Sequence, residues 1–161
     1  MTAAPFPYAA APEGLALSPD ALKAANVDPV TGLATDYLNH FNEVVMLLDM
    51  LADMPEMRED VLAWAPASYQ EHFERSGFSG RAVAIAAYAA APLPIRTAFE
   101  RTVAAIDARL VAAQEALADA DEAAVALIAS ARAAEVRPLL ARADALIHGA
   151  TYEAALAAGP A

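Results

Sequence analysis

Cysteine is absent from this chain, which excludes disulfides, thiol nucleophiles and thiolate metal sites and leaves the redox compartment open. Lysine is almost absent as well. Lys23 is the only one, and 10 basic residues stand against 21 acidic ones, for a formal net charge of −11. Nucleic acid and anionic membrane surfaces repel a chain of that sign, so neither is an expected partner. Long apolar runs are missing too. The longest, Ala82 to Pro94, is interrupted by prolines and falls short of the roughly 20 residues a membrane-spanning helix needs. The N-terminal stretch has no basic region and carries Pro5, Pro7 and Pro12. It does not read as a signal peptide, and the cytoplasm is the default expectation. No segment alternates Val, Ile and Thr with polar residues at period two, so strands are not expected.

What the chain has in abundance is alanine, more than a quarter of its 161 residues. That usage favours helix, and it accounts for a positive mean hydropathy without implying much buried area. The alanine and arginine bias looks like that of a GC-rich bacterial genome. The length suits one domain able to enclose a core without covalent help. The expected fold is an all-α, single-domain bundle of four to five main helices plus short connecting ones, spanning 18–150. An extended Pro/Ala arm precedes it at 1–17, and a short turn or tail follows at 151–161.

Local signals place the elements. Ser18-Pro19-Asp20 opens a short helix with a hydroxyl cap, a proline at the first position and an acid at the positive end of the dipole. Asp28-Pro29 and Thr31-Gly32 mark turns. Tyr37, Leu38, Phe41, Val44, Val45, Leu48 and Leu51 recur at spacings of three and four, which predicts a helix from Asp36 to Met54 capped by Thr35. A short helix follows over Glu56 to Trp64. Ser68 and Glu71 have capping-box spacing, and the helix they start should end at Gly77. Ser79 is the expected cap of a segment from Gly80 to Ala91 that is apolar nearly all round and should be central.

From Ile95 a seam of Phe99, Val103, Ile106, Leu110, Ala113 and Leu117 predicts a long helix of coiled-coil character. The spacing of Asp119 and Glu122, with Asp119 as cap, suggests a reversal into a second long helix. Pro138 should break or kink that helix. Gly149 should end it, and Thr151 could cap a last turn. Of the eleven aromatics, eight lie between Tyr37 and Phe99, so that part should supply the bulky core.

Chemistry reduces to three histidines and their neighbouring carboxylates. Asp36, His40 and Glu43 project from one side of a helix, and Asp144 and His148 repeat the i, i+4 relation. With His72 they make a candidate divalent-metal set of His40, Glu43, Asp36, His72 and His148. The motif is thin. Di-iron bundles use Glu-x-x-His twice, whereas here the order is reversed, His40-Phe41-Asn42-Glu43, and occurs once. Scaffolding and capping roles explain the histidines more simply. Phosphotransfer on His40 is disfavoured because Glu43 would repel a phosphoryl group. Ser68, Ser76 and Ser79 belong to caps and turns, and Ser130 has no strand–turn–helix elbow around it.

With no catalytic residues identified and no cofactor required, the expected function is a non-catalytic binding or regulatory protein. It would act through helix-face contacts with a protein partner or with itself, using Phe6 and Tyr8 of the arm or the Met46 and Met50 side of its helix. A metal-binding bundle is the alternative. A small-molecule pocket formed by Phe41, Trp64, Phe73 and Tyr88 is a third possibility.

Overall fold

The computed structural model describes residues 16–150. The expectations on Phe6, Tyr8 and Thr151 lie outside the described residues. The remainder is all-α: α1 (Pro19–Ala24), α2 (Asn39–Met50), α3 (Arg58–Ala63), α4 (Tyr69–Arg75), α5 (Arg81–Ala90), α6 (Leu93–Ala118) and α7 (Glu122–Ile147). Single 3-10 turns, Thr35–Leu38 and Pro55–Met57, lead into α2 and α3. No strand occurs among the described residues; the nearest feature is an isolated bridge between Val27 and Ala34. The buried apolar side chains join into one core cluster, which extends back to Leu17 in the segment expected to be arm.

The long seam of α6 is matched within the chain. Phe99, Thr102, Ile106, Leu110, Ala113 and Leu117 of α6 are buried, as are Val125, Ala129, Ala133, Val136 and Ala143 of α7. The two helices make the most extensive contact in the molecule, and α2 packs on the other side of α7. Alanine at these positions lets the backbones approach closely, so the seam is stabilised by shape fit more than by area. The expected reversal between them is present. Its cap is Asp121, whose carboxylate accepts from the Ala124 N–H at 3.0 Å, and not Asp119, which follows the last residue of α6. Arg58 secures the turn from below by donating to the carbonyls of Leu117 and Ala120, at 3.4 and 3.0 Å.

Other boundaries differ from expectation for local reasons. Ala34 has its N–H held by the Tyr69 hydroxyl at 3.0 Å and lies in the bridge to Val27. The chain is therefore pinned extended up to Ala34, and Thr35 enters the 3-10 turn without acting as a cap. α2 ends at Met50, with a turn before Pro55. The Ser68–Glu71 capping box is complete, but α4 stops at Arg75. There the Ser76 hydroxyl donates to the Phe73 carbonyl at 2.8 Å, satisfying a terminal acceptor before Gly77 is reached.

The residue preceding α5 is Gly80, with no side-chain cap from Ser79. A Cβ at Gly80 would lie 2.9 Å from that of Ala25, so glycine permits the approach of α1 to α5. Nor is α5 central. It leaves Arg81, Ala82 and Ala89 exposed and rests on α4 and α1. An alanine face exposes little area, so apolar composition alone misleads there. α6 begins at Leu93, with Pro94 tolerated in its first turn. α7 runs through Pro138 without ending, because packing against α6 and α2 outweighs the one hydrogen bond that proline removes.

The alanine seam yields a prediction. Ala133→Leu should lower stability by about 1–3 kcal/mol through overpacking, while Ala131→Leu, on the exposed side of α7, should change it by under about 0.5 kcal/mol. Urea denaturation of the two variants checks this.

Candidate functional site

Two aromatic neighbourhoods adjoin at Tyr37, whose ring lies against those of His40 and His72 on one hand and of Tyr69 and Phe99 on the other. The first is the histidine cluster. His40 stacks on Trp64 at 4.9 Å between ring centroids, and its ring lies 6.0 Å from that of His72. The Trp64 indole N–H donates to the His40 carbonyl at 3.1 Å. Gln114 of α6 donates to the carbonyls of Val61 and Trp64, and so ties the end of α3 to the long pair. His40 Nε2 and Asp36 Oδ2 are buried without hydrogen-bond partners. Burial, with His72 and Arg75 nearby, pushes the His40 imidazole down to about 4. Burial also lowers His72, against the opposing pull of Asp36. Both are therefore neutral scaffolding rings at neutral pH.

The candidate metal set is only partly assembled. His40, His72 and Asp36 share a neighbourhood, but Glu43 is exposed on α2. His148 follows α7, where its Nδ1 contacts the Asp144 carbonyl at 2.8 Å and its carboxylate at 3.5 Å. Among the described residues, no group of three or more His, Asp or Glu side chains is placed to hold a metal ion. Of the candidate interaction residues, Met46 is 56% exposed and Met50 half-buried.

The second neighbourhood is a cleft of about 600 Å³, well inside the range of roughly 300–1,000 Å³ typical of small-molecule sites. Its walls come from the 3-10 turn before α2 (Tyr37), the segment entering α4 (Ala67 to Glu71), α5 (Ile85, Tyr88) and α6 (Phe99, Glu100, Val103, Asp107). The chain axis bends by 111° between α5 and α6, which turns Tyr88 and Phe99 toward a common space. Tyr37 and Tyr69 fasten the floor reciprocally. The Tyr37 hydroxyl donates to the Ala67 carbonyl at 2.6 Å, and the Tyr69 hydroxyl accepts from Ala34. Tyr69 stacks on Tyr88 at 4.1 Å, and the Tyr88 hydroxyl donates to Glu100 at 2.8 Å. Burial raises all three phenols above their ordinary range, so they stay neutral.

Asp107 is the exception to this satisfied lining. Its Oδ1 is buried without a hydrogen-bond partner, and burial pushes the carboxyl up to about 6. Of the expected pocket residues only Tyr88 lines the cleft; Phe41 and Trp64 pair with each other, and Phe73 packs behind Tyr69. The overlooked signal was the row Phe99, Val103, Asp107 at successive spacings of four, which places an acid on an otherwise apolar stripe.

No family model matches this chain, and no curated protein or solved structure is similar to it at a significant level. No single helix among the described residues is long and apolar enough to cross a membrane.

His40 and Asp107 titrate with opposite consequences. His40 falls from 6.5 to about 4 on folding, so its contribution to stability is lost as pH drops from about 6.5 toward 4. Asp107 rises from 3.8 to about 6, so the native state binds the extra proton and gains stability over the fall from about 6 toward 4. Asp107→Asn should therefore stabilise the protein at pH 8 by about 1 kcal/mol, a figure discounted for the open side of the cleft. That advantage should shrink to about a third near pH 4.5, because it disappears fully only below the unfolded value of 3.8. Denaturation at the two pH values checks it, and an equal advantage at both would contradict the assignment.

Proposed function

We propose that this chain is a non-catalytic binding protein, regulatory in responding to what it holds, and that its working feature is the cleft between α4, α5 and α6. One observation carries the reading. A single opening combines Tyr37, Tyr69, Tyr88 and Phe99 with the half-buried carboxylate of Asp107, whose Oδ1 is buried with no hydrogen-bond partner among the described residues. Interiors rarely leave such a group unsatisfied, and the exceptions concentrate where a ligand completes the set. Catalysis finds no comparable support. Ser68 lines the cleft, but its hydroxyl accepts from the Glu71 N–H at 3.1 Å as a helix cap, and the adjoining Glu71 carboxylate is held on the Ser68 N–H at 2.8 Å.

Helix-face association draws less support than the cleft, because α7 of the same chain occupies the α6 seam. Among the described residues, Met46, Leu93 and Leu127, 56%, 64% and 76% exposed, are the most exposed large apolar side chains left for such a contact. The metal-binding alternative rests on His40 and His72, and two imidazoles fall short of the ligand set that zinc requires.

Ala104 sits exposed on α6 at the edge of the cleft. Ala104→Trp should fill its mouth while changing stability by under about 0.5 kcal/mol. In ligand-observed NMR with a library of neutral and charged arenes, wild type should give binders that Ala104→Trp loses. Binders retained in full by the variant would place recognition elsewhere and end the cleft reading.

A further inference from the structure

We propose that the cleft takes an organic amine, its ammonium group against Asp107 and its apolar body along the part-exposed Ile85, Tyr88 and Val103. This rests on the cleft being the ligand site, and it adds the ligand's chemical class.

The charge of the lining sets the sign. Glu71, Glu100 and Asp107 line the opening, and no Lys, Arg or His does. Two of those acids are already engaged. Glu71 accepts from the Ser68 N–H at 2.8 Å, and Glu100 accepts from Tyr88 and lies 3.9 Å from Arg96. Asp107 alone has a buried oxygen with no donor. The nearby phenols do not supply one, since Tyr37 donates to Ala67 and Tyr88 to Glu100.

Three ligand classes can be compared on that basis. An anion would enter among three carboxylates, and the cation Arg96 is outside the lining and already beside Glu100. The helix start beside the cleft offers an anion nothing further, because the N–H groups of Ser68 and Glu71 are spent on their capping box. A neutral apolar molecule would deepen the burial of Asp107 and leave it unpaired, at full desolvation cost. An ammonium brings both the missing donor and the missing charge. Tyr88, half-buried at the cleft with Ile85 and Val103, adds apolar area and an electron-rich ring that attracts cations. The net charge of −11 draws cations toward the molecule from a distance.

The test uses the full chain with ¹³C-labelled tyrosine and three probes of one shape: 4-phenylbutylamine, 4-phenylbutan-1-ol and 4-phenylbutanoic acid. At pH 7.5 the amine should shift the ring signals of Tyr37, Tyr69 and Tyr88, with the alcohol at least tenfold weaker and the acid weakest. Asp107→Asn should bring the amine to within about threefold of the alcohol. Glu115→Gln, an exposed charge on the same helix, should weaken the amine by less than twofold. Equal binding of amine and alcohol by wild type, or equal loss in Asp107→Asn and Glu115→Gln, would overturn the amine assignment and leave the cleft reading standing. If none of the three probes moves the cleft tyrosines, the cleft reading falls and the amine with it.

Discussion

Two tyrosines fastened in opposite directions hold the cleft end of this fold in place. Tyr37 reaches from the turn before α2 to the carbonyl of Ala67, and Tyr69 at the start of α4 receives the N–H of Ala34. Each hydroxyl satisfies a backbone group in a segment that has no regular structure of its own and lies buried at Ala34 and Ala67. Without them, two buried peptide groups would lose their partners, at about 1–3 kcal/mol apiece. The same pair fixes the ring planes that floor the cleft.

The division of the core explains why the opening lies where it does. α6 and α7 meet through alanine and modest aliphatics, which allows close approach along the buried seam. The aromatic residues of the cleft gather where the turn before α2 and the short helices α4 and α5 face α6. Large rings on short, differently oriented helices tile less completely than alanine on parallel ones, and the 111° bend between α5 and α6 widens the mismatch. The remaining space receives the one acid of the Phe99–Asp107 row. His40, His72 and Trp64 close the neighbouring gap as neutral rings, with Trp64 and Gln114 tying backbone carbonyls together.

Much of the architecture was legible from spacing. The all-α class, the long α6 and α7 with the reversal between them, and the Ser68 capping box follow from periodicity and local chemistry. What failed to show depended on contacts distant in sequence. Thr35 looks like a cap until the Tyr69 hydroxyl, 35 positions from Ala34, is seen to hold the chain extended. Pro138 looks like a break until α7 is flanked on two sides. α5 looks central because alanine counts as apolar while burying little. The site was less legible than the fold. Histidines attract attention as reagents, yet His40 and His72 serve as packing, whereas Asp107 is unremarkable in sequence and becomes distinctive only through burial without a partner. Arg58 carries no signal in the sequence for its bonds to the α6–α7 turn, which span 59 and 62 positions.

The central claim, that the reciprocal tyrosine bonds act as one clamp, is tested most directly by a double-mutant cycle on Tyr37→Phe and Tyr69→Phe with stability as the readout. Each single change should cost about 1–2 kcal/mol. Because both bonds fasten the same two segments, the double variant should lose less than the sum, with a coupling of at least about 0.5 kcal/mol. Losses that add within error would mean that the two hydroxyls act independently, and would contradict the account.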